Sequence, residues 1–207
     1  INYLHIFLIY SSSLFIYGCN SISSNNLESP RYVFNQLDLS RNKVNGELEW
    51  QIKSPEALFE KDNQIIRAKK TALNLYSNNL LKYKIKSDSL TSINNVNFVL
   101  LEGNVKLTQL NKEGALITGD SLKLDFNNNT ITIDQNPLVF YDNFSIISNK
   151  LIFSVETSNI DFVGRTKFLI SSDDLINRSK EKLVINSIDT RWNIDTGDLY
   201  SSKTIFF

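Results

Sequence analysis

Hydrophobic and polar residues alternate along most of the chain after about residue 32, with short breaks rich in Asn, Asp and Ser. A period of two residues is typical of a β-strand with one buried face. The pattern predicts one hairpin where residues 122–126 and 131–133 flank an Asn triplet. It predicts another where residues 151–155 and 160–162 flank a Thr-Ser-Asn turn. We therefore expect an all-β fold of antiparallel strands.

A repeated phrase organises these strands. It starts with Ile-x-Ser or a close variant, runs through an alternating segment, turns on Asn or Asp, and resumes with a second alternating segment. It recurs at intervals of roughly thirty residues, as in stacked repeats whose units bury their apolar faces on one another. The copies begin at Ile52, Ile85, Ile117, Ile147 and Ile185. The repeat predicts a single elongated roll of about five strand-turn-strand units.

The alternation places Leu, Ile, Val and Phe on one face of the sheet and Ser, Thr, Lys and Asn on the other. If two parts of the apolar face close tightly on each other, the interior is an ordinary core. If they splay apart, the interior is an apolar groove. The pattern is compatible with both arrangements.

The start of the chain has a different character. Residues 3–17 are apolar, and their length fits a signal-peptide core better than a spanning helix of about 20 residues. Cys19 follows Ile16, Tyr17 and Gly18 in an order that resembles a bacterial lipoprotein cleavage site. In that interpretation the Cys19 thiol is acylated. Because Tyr17 is bulky and no basic residue precedes the apolar run, an uncleaved anchor is the alternative.

The sequence thus divides into three parts. Residues 1–19 are the leader, and residues 20–31 form a polar tether without periodicity. Residues 32–207 form the folded domain. Within it, residues 173–182 have an acidic start and a basic end, which favours a short helix or an inserted loop. Trp50 and Trp192 are expected in the core or at its rim.

Charge and chemistry narrow the function. The 22 basic and 22 acidic residues give zero net charge, so no overall field attracts nucleic acid. The row of Lys82, Lys84 and Lys86 is expected to be a solvated strand face. The single histidine, His5, lies in the leader, so the domain has no His-based catalytic triad. The sequence also contains no glycine-rich phosphate loop. We expect no catalytic residue, no metal ion, no cofactor and no nucleic-acid partner.

Three segments resemble a known family. Residues 101–107, 118–125 and 159–166 are similar to the repeated Gly-x-Val, Ser-Asp-x-Leu, turn, Gly pattern of the OstA-like superfamily of lipopolysaccharide-transport β-jellyroll proteins. Residues 32–39 are similar to the opening strand in that superfamily. An N-terminal anchor, a tether and one domain of this size resemble its LptC family.

The resemblance implies a V-shaped β-jellyroll whose interior holds the acyl chains of lipid A. It implies a periplasmic protein, anchored at its N-terminus in the inner membrane. Such a protein would accept lipopolysaccharide from an inner-membrane ABC transporter and pass it to an LptA-like roll by edge-strand pairing. The alternatives are a structural or adhesive β-repeat lipoprotein with a closed core, and a soluble or outer-membrane member of the same superfamily.

The resemblance also suggests site residues. Gly103 and Gly164 match glycines of the family pattern, with an ordinary bulge as the alternative. The candidate lipid contacts are apolar residues expected to face the interior, and ordinary core packing is the alternative for each. They are Leu75, Phe98, Leu100, Val105, Leu107, Leu124, Phe126, Ile133, Phe140, Phe153, Phe162 and Phe168.

Overall fold

The computed structural model describes residues 31–93, 96–110, 114–171 and 182–206. Every element in these ranges is a β-strand, which confirms the all-β prediction. The strands are β1 Arg31–Asn42, β2 Leu48–Glu60, β3 Ile65–Ser77, β4 Leu80–Ile93, β5 Phe98–Gln109, β6 Leu116–Asp125, β7 Thr130–Gln135, β8 Leu138–Tyr141, β9 Phe144–Ser154, β10 Asn159–Ser171, β11 Lys182–Asn193 and β12 Leu199–Phe206. The leader with Cys19 and His5, the tether up to residue 30, and most of the segment predicted as a helix or loop lie outside the described residues.

The strands form one 12-stranded antiparallel sheet. Its order follows the chain from β1 to β7 and then from β9 to β12, while the short β8 pairs with β6 and β9. Both predicted hairpins are confirmed. Leu124 lies opposite Ile131 across the Asn turn, and Phe153 lies opposite Ile160 across the Thr-Ser-Asn turn. Among the described residues, no helix is long and apolar enough to cross a membrane.

The sheet is folded over on itself. Phe144 pairs with the β10 strand near Ile170, whereas Trp192 pairs with Ile160, ten positions away along the same strand. A straight strand would separate these two positions by about 33 Å, at about 3.3 Å per residue. Yet the rings of Phe144 and Trp192 have centroids only 5.6 Å apart. The strands must therefore bend near their middle and bring their two ends together.

Bulges mark where the strands bend. Residues with positive φ interrupt five of the strands at this level: Gln36, Lys70, Gly103, Gly164 and Asp189. The register shifts at the same level in the pairs β4–β5, β5–β6, β9–β10 and β10–β11. A bulge bends its strand and increases its twist. We call this row across the sheet the hinge line, and the parts of the sheet on its two sides the arms.

The serine of the repeated phrase lies on the hinge line. Ser54, Ser87 and Ser148 are buried, and each hydroxyl donates to the carbonyl oxygen two residues further on, at 2.7, 2.8 and 3.0 Å. A bulge leaves backbone groups without a partner in the strand ladder, and a buried carbonyl needs one. The serine meets this need in three of the five copies. In the fifth copy, Ser187 is also buried, but its hydroxyl pairs with that of Thr190.

The third copy of the phrase has glycine in place of serine. A Cβ atom on Gly119 would lie 2.6 Å from Cγ2 of Ile133, a residue of the adjacent strand β7. No side chain fits at that distance. The branched Ile133 side chain therefore fills the space that a hydroxyl group occupies in the other copies.

Candidate functional site

The arms enclose an apolar interior that crosses the sheet from Trp50 to Ile194. Nine of the twelve candidate lipid contacts lie in it, each no more than 6% exposed. These nine are Leu75, Val105, Leu107, Leu124, Phe126, Ile133, Phe153, Phe162 and Phe168. Trp50 and Trp192 are also in this core, as expected. The structure thus brings together side chains from strands β2 to β11 on one continuous apolar surface.

The expectation that Phe98 and Leu100 face the interior is wrong. Phe98 is 43% exposed, and Leu100 has the same orientation on β5, because Val99 and Leu101 take the inward positions. The candidates on β5 were even-numbered before Gly103 and odd-numbered after it, as they would be if the bend reversed the alternation. Gly103 and Asn104 both have positive φ, and the odd-numbered residues face inward on both sides of this bend.

Phe140 is also on the outside, 44% exposed, and not in the interior as expected. Its neighbour Val139 is buried and lies opposite Ile117 and Ile146 in the sheet. Strand β8 is a four-residue run of Leu, Val, Phe and Tyr. Because all four residues are apolar, the sequence contains no alternation from which the inward face can be read.

Several interior residues were not among the candidates. Val99, Leu101, Leu122, Ile131 and Leu151 are fully buried or nearly so. Their period is the same as that of the candidates, so the signal was present for Leu122, Ile131 and Leu151. Only the orientation of β5 had to come from the structure.

The interior is closed in this structure. The rings of Tyr83 and Phe153 meet edge to face with centroids 5.2 Å apart, and those of Trp50 and Phe126 stack at 5.1 Å. These pairs join strands that are not neighbours in the sheet, so they pack one arm against the other. Of the two arrangements that the alternation allows, the structure adopts the tightly packed one.

A small cavity remains at one end of the interior. Its apolar walls include Leu75, Tyr83, Leu124, Phe126 and Val155, and its volume is about 180 Å³. This is less than the roughly 300 Å³ at which ordinary ligand pockets begin. An acyl chain therefore needs the arms to separate further before the interior can hold it.

Arg41 covers the aromatic pair beside this cavity. Its guanidinium carbon lies 5.4 Å from the Trp50 ring centroid and 5.1 Å from that of Phe126. Arg41 also forms an ion pair with Glu49, at 2.6 Å. The Trp50 indole nitrogen is buried and has no acceptor among the described residues. A buried donor without an acceptor costs about 1–3 kcal/mol.

Polar side chains close the opening between the arms next to the cavity. Nζ of Lys82 donates to Oγ of Ser158 at 2.8 Å and to Oδ2 of Asp195 at 3.1 Å. Nε2 of Gln109 donates to Oδ1 of Asp195 at 3.1 Å, and Oη of Tyr83 lies 3.3 Å from Oγ of Ser158. We call these five residues the mouth cluster. Lys82 therefore bridges two distant turns. The expectation that it belongs to a solvated strand face is wrong.

The pKa values of the mouth cluster reflect this geometry. Burial acts to lower the pKa of Lys82, but hydrogen bonds with Asp195 and Tyr83 outweigh it and raise the pKa above its ordinary value. Burial acts to raise the pKa of Asp195, but hydrogen bonds from Ser158, Lys82 and Gln109 hold it below its ordinary value. Burial raises the pKa of the Tyr83 hydroxyl. At neutral pH, a charged Lys82 thus faces a charged Asp195.

The two candidate glycines both lie on the hinge line, each beside an aspartate of the next strand. Gly103 has φ of +75°, and a Cβ atom there would lie 2.7 Å from Oδ2 of Asp88. Gly164 has φ of +81°, and its N–H donates to Oδ1 of Asp189 at 2.9 Å. Only glycine adopts this region readily. The described residues contain no group of three or more His, Cys, Asp or Glu side chains that could hold a metal ion.

Antiparallel strands folded into one roll, with an apolar interior and two edge strands, define the class of protein as a β-jellyroll. Among solved structures, the chain is similar to LptH, described as the LptA homologous periplasmic component of the conserved lipopolysaccharide transport device from Pseudomonas aeruginosa. The two share 11% sequence identity with a TM-score of 0.44, over 78% of this chain and 96% of that chain. No match was found among curated proteins.

The family model described as "LptC: Lipopolysaccharide-assembly, LptC-related" matches residues 3–199. The match spans nearly the whole chain, and the chain belongs to this family. It is therefore a component of lipopolysaccharide transport, in a family of periplasmic proteins that is not a known enzyme family.

Proposed function

We propose that this roll carries lipopolysaccharide by holding the acyl chains of lipid A between its arms. It receives the molecule from an inner-membrane ABC transporter and passes it to an LptA-like roll. The observation that carries the proposal is the continuous apolar surface formed by strands β2 to β11, on which nine of the twelve candidate residues lie. Each buried methylene contributes about 0.8 kcal/mol, so such a surface can hold acyl chains without polar contacts.

The closed interior has to open for this purpose. The aromatic contacts between the arms and an acyl chain use the same apolar surface, so one can replace the other at little net cost in buried area. Phe126 is the natural first contact because it is part of the cavity wall and of the stacked pair with Trp50. Phe153 lies deeper, wholly buried against Tyr83.

The closed packing also favours the second candidate, a structural β-repeat lipoprotein whose interior is only a core. The two functions differ in whether the interior ever contacts lipid. A photo-crosslinking residue placed singly at position 126, 153, 98 or 140 distinguishes them, with cells making lipopolysaccharide as the source of lipid. Positions 98 and 140 are matched controls, since they are phenylalanines on the outer face of the same sheet.

Lipid carriage predicts crosslinks to lipopolysaccharide from positions 126 and 153 and few from positions 98 and 140. A core protein gives no crosslinks from the two inward positions. A substitution completes the test: Phe126→Glu places a carboxylate in the cavity wall and is expected to reduce lipid crosslinking at position 153 at least tenfold. Phe98→Glu, on the outer face, leaves crosslinking at position 153 unchanged.

The edges of the sheet support a docking function. Strand β1 pairs only with β2, and strand β12 pairs only with β11, so each has one backbone edge unpaired within the described part of the sheet. Exposed edges promote aggregation unless they are covered or used. We assign β12 to pairing with the next roll. Proline at Thr204 should weaken pull-down of an LptA-like partner, whereas Val33→Pro on β1 should not, provided both variants keep their β-sheet circular dichroism. Equal pull-down by both would reject this assignment.

A further inference from the structure

We propose that the mouth cluster is a latch. It holds the two arms of the roll together and has to release before an amphiphile with a long acyl chain and an anionic head group can enter the interior. The proposal rests on the lipid carriage proposed above, and it adds the place of entry, the residues that close it and the chemistry that opens it.

The first support is the position of the cluster in the sheet. Lys82 lies near the start of β4, whereas Ser158 is in the turn after β9 and Asp195 in the turn after β11. Strands β5, β6 and β7 lie between β4 and β9 in the sheet, so no backbone ladder joins these places. Among the described residues, the contacts that connect the arms here are made by side chains. Their release costs no strand pairing.

The second support is the cavity. Lys82 and Tyr83 form part of its wall together with Phe126, so the cluster lies at the edge of a gap in the interior. Tyr83 connects the mouth cluster to the apolar interior. Its hydroxyl lies within hydrogen-bonding distance of Ser158 in the cluster, and its ring packs on Phe153 in the interior. When the hydrogen bonds of the mouth cluster break, they no longer hold the Tyr83 ring against Phe153, and the cavity can extend inward.

The third support is the charge of the opening. Lys43 and Lys82 both line the cavity, and so do Glu49 and Glu156. Glu49 is held by Arg41, whereas the Lys82 ammonium can exchange Asp195 for another anion. A phosphate or carboxylate head group offers Lys82 such a partner while its acyl chain takes the place of the aromatic contact. An anionic amphiphile therefore opens the latch by competition, whereas a neutral one does not.

The expected strength of the latch is modest. The side chains of Lys82 and Asp195 are 19% and 41% exposed, so water screens their attraction. We expect the loss of this pair to raise the open fraction about three- to fivefold. This is small enough for the closed roll to release repeatedly and large enough to measure.

The test uses the full-length protein in detergent, with two measurements. One is the rate of hydrogen exchange at the amide of Ile194, which donates to the carbonyl of Ser158 and so reports on the latch turns. The other is the rate of uptake of a fluorescent long-chain fatty acid, compared with the corresponding fluorescent alcohol. The variants are Lys82→Gln, Asp195→Asn, and the charge swap Lys82→Asp with Asp195→Lys. Matched controls are Lys84→Gln on the same strand and Asp198→Asn in the same turn.

A latch predicts that each single variant raises both rates about three- to fivefold, that the charge swap returns both to within about twofold of wild type, and that the controls change neither. Wild-type protein should take up the acid faster than the alcohol, and Lys82→Gln should lose this preference. Unchanged exchange at Ile194 in both single variants would overturn the latch. If exchange rises as expected but no variant takes up either probe, the latch stands and the proposed lipid carriage fails.

Discussion

The hinge line and the mouth cluster are both polar strips in a roll with an apolar interior, but they are built from contacts of different range. At the hinge line, Ser87 bonds the carbonyl of Ser89 and the hydroxyl of Thr71 on the paired strand. At the mouth, Lys82 bonds residues 76 and 113 positions away. The hinge bonds therefore form with the sheet and last as long as it does. The mouth bonds can break while every strand stays paired, as expected for a part of low local stability.

The largest effect is expected at the hinge glycines. Replacing Gly103 or Gly164 with alanine costs about 1–2 kcal/mol, because a residue with a Cβ atom disfavours the left-handed backbone conformation. At Gly103 the new Cβ also meets Asp88, whereas at Gly164 nothing lies within 4 Å. We expect Gly103→Ala to lower the free energy of unfolding by about 3 kcal/mol or more, and Gly164→Ala by about 1–2 kcal/mol. Denaturant titration measures both. Equal losses would show that the contact with Asp88 relaxes freely.

The next effect concerns a hinge hydroxyl. Ser87→Ala removes the donor to the Ser89 carbonyl and the partner of the buried Thr71 hydroxyl, so we expect a loss of about 1–3 kcal/mol. Ser202→Ala is the control. Its hydroxyl also bonds a carbonyl, that of Ile188, but at an exposed position where water replaces it. If the two substitutions lower the free energy of unfolding equally, the repeated serine is not a requirement of the bend.

Substitution at the mouth should affect stability least. Asp195→Asn keeps the size of the side chain and removes its charge, so we expect less than about 1 kcal/mol of global destabilisation. Local opening at Ile194 should nevertheless increase, because the broken contacts hold no strands together. A global loss as large as that of Ser87→Ala would contradict the contrast between the two strips.

The pH dependence of opening sharpens the same contrast. Because the folded pKa of Asp195 is depressed, its contribution is present above the ordinary carboxyl pKa of about 4 and is lost as the pH falls through the lower folded value. Because the folded pKa of Lys82 is raised, its contribution is present below about 10.4 and is lost as the pH rises through the higher folded value. Tyr83 faces the pair, and Lys43, Glu49 and Glu156 line the same cavity.

Exchange at Ile194, corrected for its intrinsic pH dependence, should therefore be flat between about pH 5 and 9 and rise below about pH 4. In Asp195→Asn the acid rise should be much smaller. An equally steep rise in that variant would contradict the assignment of the acid opening to Asp195.

The sequence by itself determined the strands, the hairpins at residues 122–133 and 151–162, and one apolar face, because alternation and turn residues act over a few positions. It also determined where the strands bend, since glycine and the repeated serine mark the hinge line. The tertiary structure decided which face of β5 and of β8 points inward. In β5 two successive residues have a left-handed backbone, and β8 is an unbroken apolar run. Neither sequence therefore shows which alternate residues face the interior. The tertiary structure also decided that the arms close and that Lys82 meets Asp195. These contacts depend on the bend and twist accumulated over many strands, a quantity that no local pattern of residues contains.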